Sequence, residues 1–134
     1  MAKEYSYGTC IYYKNELDNS VSILLIQPKG HKEWGFPKGK IESNETKEQC
    51  AIRETFEEIG IKIKEELLEK YFEQTNKRKD IGVFLVNMNN LNLNSKFKIN
   101  PREVHKVKLL NINDKFDIYK NQSSILNNIV NHLK

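Results

Sequence analysis

The sequence predicts an α/β fold in which helices cover both faces of a mixed β-sheet. Three observations carry this expectation. Several short segments rich in β-branched and aromatic residues read as strands. Two stretches, near residues 46–59 and 123–133, place apolar residues at helical spacing. The helices interrupt the strands at two separate places, which suits helices on both sides of a sheet.

Taken in order, Glu4–Tyr13 is rich in Tyr, Thr and Ile and reads as a strand. Leu17–Ser20 is a turn. The apolar run Val21–Ile26 follows as a buried strand, closed by Pro28 and Gly30, and the two segments form a hairpin. Trp34–Ile41 holds two glycines and a proline in eight residues. It reads as a short strand followed by an irregular loop. Thr46–Ile59 is a helix. Thr46 with Gln49 fits a capping box and Gly60 a C-terminal stop. Ile52, Phe56 and Ile59 supply its buried face. Leu67–Gln74 and Asp80–Val86 read as strands joined by a turn at 76–79. Asn87–Asn100, biased toward Asn and Lys, reads as a loop of limited order with no assigned function. His105–Ile112 alternates as a strand, with Val107 and Leu109 inward. Ser123–Leu133 closes the chain as an amphipathic helix through Ile125, Leu126, Ile129, Val130 and Leu133.

The chain has 134 residues, which suits one domain over 1–134. Hydrophobic residues make up 38% and charged residues 30%, a mix typical of water-soluble domains. No apolar run approaches the ~20 residues needed to span a bilayer, which excludes a membrane helix. Met1–Tyr13 is too polar for a signal peptide, so a cytoplasmic location is expected. Cys10 and Cys50 show no metal-like spacing and read as buried free thiols. The net charge of +4 is compatible with an anionic ligand such as a polyphosphate or RNA. Oligomeric state is left open.

The chemistry concentrates on the first helix. Glu54, Glu57 and Glu58 fall within an arc of roughly 100°. Like charges three and four residues apart repel. A divalent cation with a preference for carboxylate oxygen, Mg²⁺ or Mn²⁺, would offset that repulsion. A solvated acidic face would look the same if these three residues stood alone.

They do not stand alone. Gly39, five residues, Glu45, seven residues, then Arg53-Glu54-Thr55-Phe56-Glu57-Glu58-Ile59-Gly60-Ile61 resembles the Nudix box, G-x5-E-x7-R-E-U-x-E-E-x-G-U, with U a bulky aliphatic. All its fixed residues are present at the right spacing, a chance match on the order of one in a million. Thr55, at the first U position, is the one departure. The resemblance implies the Nudix α/β/α sandwich and a metal-dependent pyrophosphohydrolase. It implies that Glu54, Glu57 and Glu58 hold Mg²⁺ or Mn²⁺, with the backbone carbonyl of Lys38 or Gly39 completing the shell. Arg53 and Glu45 would orient the loop against the helix. Cleavage also needs a carboxylate to accept a proton. Glu54 or Glu57 could do so, and so could Glu103, which stands where some family members carry a base in a loop before the last strand.

For the substrate, Lys38 and Lys40 flank Gly39 and are candidate phosphate ligands. Trp34, the only tryptophan, either stacks on a base or plugs the core. His31 and Lys32 read as solvated residues, the basic turn Lys77-Arg78-Lys79 reads either as a solvated turn or as a contact for a distal phosphate or RNA backbone, and His105 and His132 show no catalytic pairing. Trp34–Lys40 (WGFPKGK) resembles the loop of diadenosine tetraphosphate hydrolases and of mRNA-decapping Nudix enzymes. A dinucleoside polyphosphate is therefore the first expected substrate. The alternatives are an RNA 5′ end, as in a pyrophosphohydrolase or decapping-type enzyme, and a non-catalytic domain that senses a nucleotide.

Overall fold

In the computed structural model, which describes residues 2–93 and 98–134, the chain is a mixed sheet between two helices. The strands are β1 (Glu4–Lys14), β2 (Val21–Pro28), β3 (Lys38–Lys40), β4 (Tyr71–Thr75), β5 (Lys79–Asn87) and β6 (Val104–Asn111). The helices are α1 (Lys47–Ile59) and α2 (Ser123–Leu133). The sheet order is β4-β5-β1-β2-β6, with β1 parallel to β5 and the other pairs antiparallel.

Period-two alternation divides the strands between two cores. Cys10, Ile23, Leu25, Val83 and Leu85 pack under Ile125 and Ile129 of α2. Ile11, Leu24, Ile26 and Val86 pack on the other face with Ile59, Ile61 and Ile63. The α/β/α sandwich expected from the sequence is present. Both cysteines are buried free thiols. No helix among the described residues is long and apolar enough to cross a membrane.

One edge of β1 is shared. Residues 12–14 pair with β2, whereas Ser6, Tyr7 and Gly8 pair with Lys40, Gly39 and Lys38 of β3. Thr9 stands at the parting, and its N–H donates to the Pro37 carbonyl at 3.2 Å. A side chain on Gly8 would run into Pro37 and Lys38, so only glycine lets β3 close here. The wedge between β1, β3 and α1 is where the acidic residues gather.

Helix α1 keeps its expected ends: both bonds of the Thr46–Gln49 capping box form, and Gly60 adopts the left-handed conformation with φ 75°. Its buried face differs from expectation. Cys50, Ala51, Thr55 and Ile59 are buried, while Phe56 is 45% exposed. Small side chains let α1 lie close on the sheet. The helix is thereby turned by roughly 90° from the Ile52–Phe56–Ile59 face. The acidic stripe consequently lies on the shoulder of the buried face.

Other departures have local causes. In Trp34–Ile41 the irregular part comes first, with Trp34 and Gly35 making single bridges to Ile118 and Ile26, and the strand follows at Lys38–Lys40. The strand expected from Leu67 starts at Tyr71, because Glu65–Leu67 forms a 3₁₀ turn. Strand β6 is an edge strand that buries Val104 and Leu110, leaving Leu109 39% exposed. The Asn-rich segment holds a 3₁₀ turn at Met88–Asn90, and Leu91 and Leu93 pack on the core under α1. The limited order expected there falls partly on residues 94–97, which lie outside the described residues. Beyond them, the N–H groups of Lys98 and Asn100 donate to the carbonyls of Ile59 and Glu58, satisfying two free acceptors at the end of α1.

Candidate active site

Arg53 ties the β3–α1 connection to the helix. Its Nε donates to Glu45 Oε2 at 2.6 Å and its Nη2 to Glu45 Oε1 at 3.0 Å, a two-pronged contact. Nη2 also reaches the Lys40 carbonyl at 3.0 Å, and Nη1 lies 3.3 Å from Glu54 and 3.2 Å from Glu57. Glu45 bonds the Glu42 N–H in turn, so the turn before α1 closes on itself. The hydrogen bonds from Arg53 hold the Glu45 carboxyl below the usual carboxylate range. Glu42, 3.2 Å from Arg53 Nε, is a partner the sequence did not single out.

Glu54 and Glu58 are half-buried and Glu57 is exposed. Glu54 lies so close to Gly39 that a methyl group there would strike its carboxylate. Glu58 Oε1 accepts the Lys38 N–H at 2.9 Å. Burial pushes the Glu58 carboxyl up to about 8, aided by repulsion from Glu54 and Glu103 and opposed by the Lys38 N–H. Burial also raises Glu54; Arg53 opposes this, and Glu57 and Glu103 add to it. Glu103 is itself exposed, and its electrostatic influence on Glu54 and Glu58 brings it to the same wedge.

The donor chemistry fits a hard divalent cation. Crowded, partly buried carboxylates beside a backbone held open by glycine suit Mg²⁺ or Mn²⁺. Among the described residues, no three Asp, Glu, His or Cys side chains yet converge on one point. The Arg53 guanidinium lies between Glu54 and Glu57. The Gly39 carbonyl takes a contact from the Cys50 thiol at 3.4 Å.

A cleft of about 220 Å³ opens beside Glu58, lined also by Lys38, Lys79, Tyr119, Asn121 and Gln122. Larger hollows, of about 710 Å³ beside α2 and about 960 Å³ on the far flank of α1, include none of Glu54, Glu57 and Glu58. Glu58, not size, singles out the smaller cleft. Burial and the nearby Lys79 lower Lys38 to about 8, with Glu58 opposing. The two lysines expected to act together are separated: Lys40 points to Glu4 at 2.8 Å and is 67% exposed. Trp34 packs against the core under α2 and is not among the residues lining the cleft.

Tyr119 and Gln122 are cleft residues that the sequence did not reveal, and Lys79 enters the cleft from the basic turn that offered a contact for a distal phosphate. For Lys79 a signal exists: it shares a strand face with Ile81, Val83 and Leu85, at the mouth of an inward row. Gln122 is 3% exposed, and its Oε1 accepts the Phe36 N–H at 2.9 Å, fixing the approach to Lys38. Neither it nor Tyr119 belongs to any local pattern.

Comparison with known proteins agrees with this geometry. The profile described as NUDIX domain matches residues 7–128. The mRNA decapping complex subunit 2 of Schizosaccharomyces pombe is 28% identical over 108 residues, covering 79% of this chain and 14% of that protein. The m7GpppN-mRNA hydrolase of Saccharomyces cerevisiae is 36% identical over 70 residues, 52% of this chain and 7% of that one. The chain thus spans a small part of these relatives' length. Among solved structures, a Caenorhabditis elegans Ap4A hydrolase in a binary complex superposes with TM-score 0.72 at 26% identity, covering 97% of both chains. A MutT/nudix family protein from Enterococcus faecalis shares the fold at TM-score 0.76 and 19% identity, covering 98% of this chain and 63% of that one.

Proposed function

Because the chain belongs to the NUDIX domain family, we propose that it is a metal-dependent pyrophosphohydrolase acting on a dinucleoside polyphosphate such as diadenosine tetraphosphate. The carrying observation is the crowding of Glu54 and Glu58 against the Lys38–Gly39 backbone, with Glu58 lining a cleft that also holds Lys38 and Lys79. Carboxylates and ammonium groups side by side suit a substrate that arrives as a polyanion together with cations.

Glu54, Glu57 and Glu58 would hold Mg²⁺ or Mn²⁺, with the carbonyls of Lys38 and Gly39 as further donors. When bound, such an ion supplies acidified water and neutralises phosphate charge. Lys38 and Lys79 bind the phosphate chain. A carboxylate, Glu103 or Glu54, takes the proton of the attacking water as its oxygen bonds to phosphorus and the bridging P–O bond breaks. Arg53 and Glu45 keep the β3–α1 connection in register with the helix.

Likeness to an Ap4A hydrolase over nearly the whole of both chains favours a dinucleoside polyphosphate. Likeness to decapping proteins of two yeasts favours, as a second reading, the 5′ end of RNA. The complete acidic set argues for catalysis over mere nucleotide sensing. Incubation of the protein and Mg²⁺ with dinucleoside polyphosphates, nucleoside triphosphates, 5′-triphosphorylated RNA and capped RNA separates these readings by the products formed. No product from any of them would refute the enzyme.

The lysines give a sharper test. Lys38→Ala should raise KM by ~10- to 100-fold, the worth of a charge-assisted hydrogen bond, with a smaller effect on kcat. Lys40→Ala, whose ammonium pairs with Glu4, should change KM less than about two-fold. Equal effects from the two would remove Lys38 from the cleft chemistry.

A further inference from the structure

We infer that Thr9 and Thr55 form a positioning pair that fixes α1 against β1 and so sets where Glu54 and Glu58 meet the Lys38–Gly39 backbone. The inference rests on the proposed metal-dependent reading of that site. Both threonines are fully buried, and their hydroxyl oxygens lie 2.8 Å apart. A threonine hydroxyl carries a single proton. Thr55 spends its proton on the Ala51 carbonyl, at 2.8 Å. The bond between the two hydroxyls must therefore run from Thr9 to Thr55. It is directional, and it joins a strand to a helix across 46 residues of sequence.

The position of Thr9 gives that bond its consequence. Its backbone N–H donates to the Pro37 carbonyl, directly ahead of β3. Its side chain holds the turn of α1 that carries the acidic residues. One residue thus holds both walls of the wedge. The tolerances there are small: Gly39 has no room for a methyl group against Glu54, and Glu58 takes the Lys38 N–H at 2.9 Å. A helix held by aliphatic packing alone can slide or roll by a fraction of an ångström without breaking a bond. A helix held by a hydroxyl pair at this point cannot. Thr55, where the Nudix pattern calls for a bulky aliphatic, is accordingly matched by a partner on the neighbouring strand.

The proton count separates position from stability. Thr55→Val strands the buried Thr9 hydroxyl and should lower Tm. Thr9→Val leaves Thr55 satisfied by Ala51 and should lower it less. The double variant T9V/T55V has no stranded group and should recover a Tm close to that of the wild type. If the pair positions the carboxylates, the double variant should still bind Mn²⁺ at least about ten-fold more weakly, as read from electron paramagnetic resonance of the free ion. Thr55→Ser, which keeps the hydroxyl, should restore Mn²⁺ binding. Wild-type affinity in the double variant would overturn the pairing role alone. A wild-type protein that binds no Mn²⁺ would overturn the proposed metal chemistry, and this inference with it.

Discussion

Glu58→Gln should lower turnover about a thousand-fold, near the middle of the range for losing a group that acts on the reacting centre. The substitution keeps the shape of the side chain. It also keeps an oxygen to accept the Lys38 N–H, so β3 and α1 should stay in place. What it removes is one negative charge and one strong donor to a cation. Glu57→Gln, at an exposed position, tests the same chemistry with even less structural risk. Steady-state kinetics with Mg²⁺, alongside circular dichroism to check the fold, decide the matter. Near-normal turnover in a folded variant would remove that residue from the metal site.

The same carboxyl should act on stability in the opposite sense when no metal is present. Folding raises Glu58 from the ordinary carboxylate range to about 8. Its contribution is therefore fully present below about pH 4.5 and is lost as pH rises toward 8, a change on the order of a few kcal/mol. Folding lowers Lys38 to about 8, so its contribution is lost as pH falls from about 10.5 to 8. The two windows meet. The metal-free protein should accordingly show a minimum in Tm near pH 8, and added Mg²⁺ should lift it by binding the folded state. In metal-free Glu58→Gln the acid-side decline should shrink to the smaller part that the raised Glu54 carboxyl supplies. A flat Tm profile in the metal-free wild type would show that Glu58 is not held in a dehydrated, crowded setting.

The helices and most strands were legible in the sequence because they are written locally. Thr46 and Gln49 cap α1, Gly60 stops it, and the apolar row of α2 repeats at helical spacing. The carboxylates were legible because Gly39, Glu45, Arg53, Glu54, Glu57 and Glu58 keep a fixed spacing. The rotation of α1 was not. Phe56 is the largest apolar side chain of that helix, yet the shallow space over β1 takes Cys50, Ala51 and Thr55 instead. That choice depends on the surface beneath the helix, which no window of sequence contains. That Lys79 and not Lys40 joins Lys38 in the cleft was hidden for a related reason. Lys40 and Lys79 are equally basic on paper, but Glu4 holds Lys40 aside and the β1–β5 pairing carries Lys79 in. Tyr119 and Gln122 arrive from the far end of the chain, and only the packed fold brings them to Phe36 and Lys38.

Arg53→Ala should combine a large loss of activity with a large loss of stability, because one guanidinium serves both. The side chain is 26% exposed, and it faces Glu45 and Glu54, whose side chains are 12% and 13% exposed. Removing it leaves two largely buried carboxylates without their counter-charge, a loss expected to cost about 3 kcal/mol. It also frees the β3–α1 connection, which the fork holds through Glu45 and the Lys40 carbonyl. A displacement of about 1 Å at the reacting centre is enough to lower kcat about a hundred-fold. Arg53→Lys should restore little, since an ammonium cannot span both Glu45 oxygens and the Lys40 carbonyl with fixed geometry. Glu45→Gln separates the two roles: it removes one prong and the charge of the anchor on the connection and leaves Glu54 and Glu57 with their cation. It should therefore lose less stability than Arg53→Ala while losing a comparable part of kcat. Full activity in Glu45→Gln would mean that Arg53 acts only by neutralising its neighbours on the helix, and that the connection needs no holding.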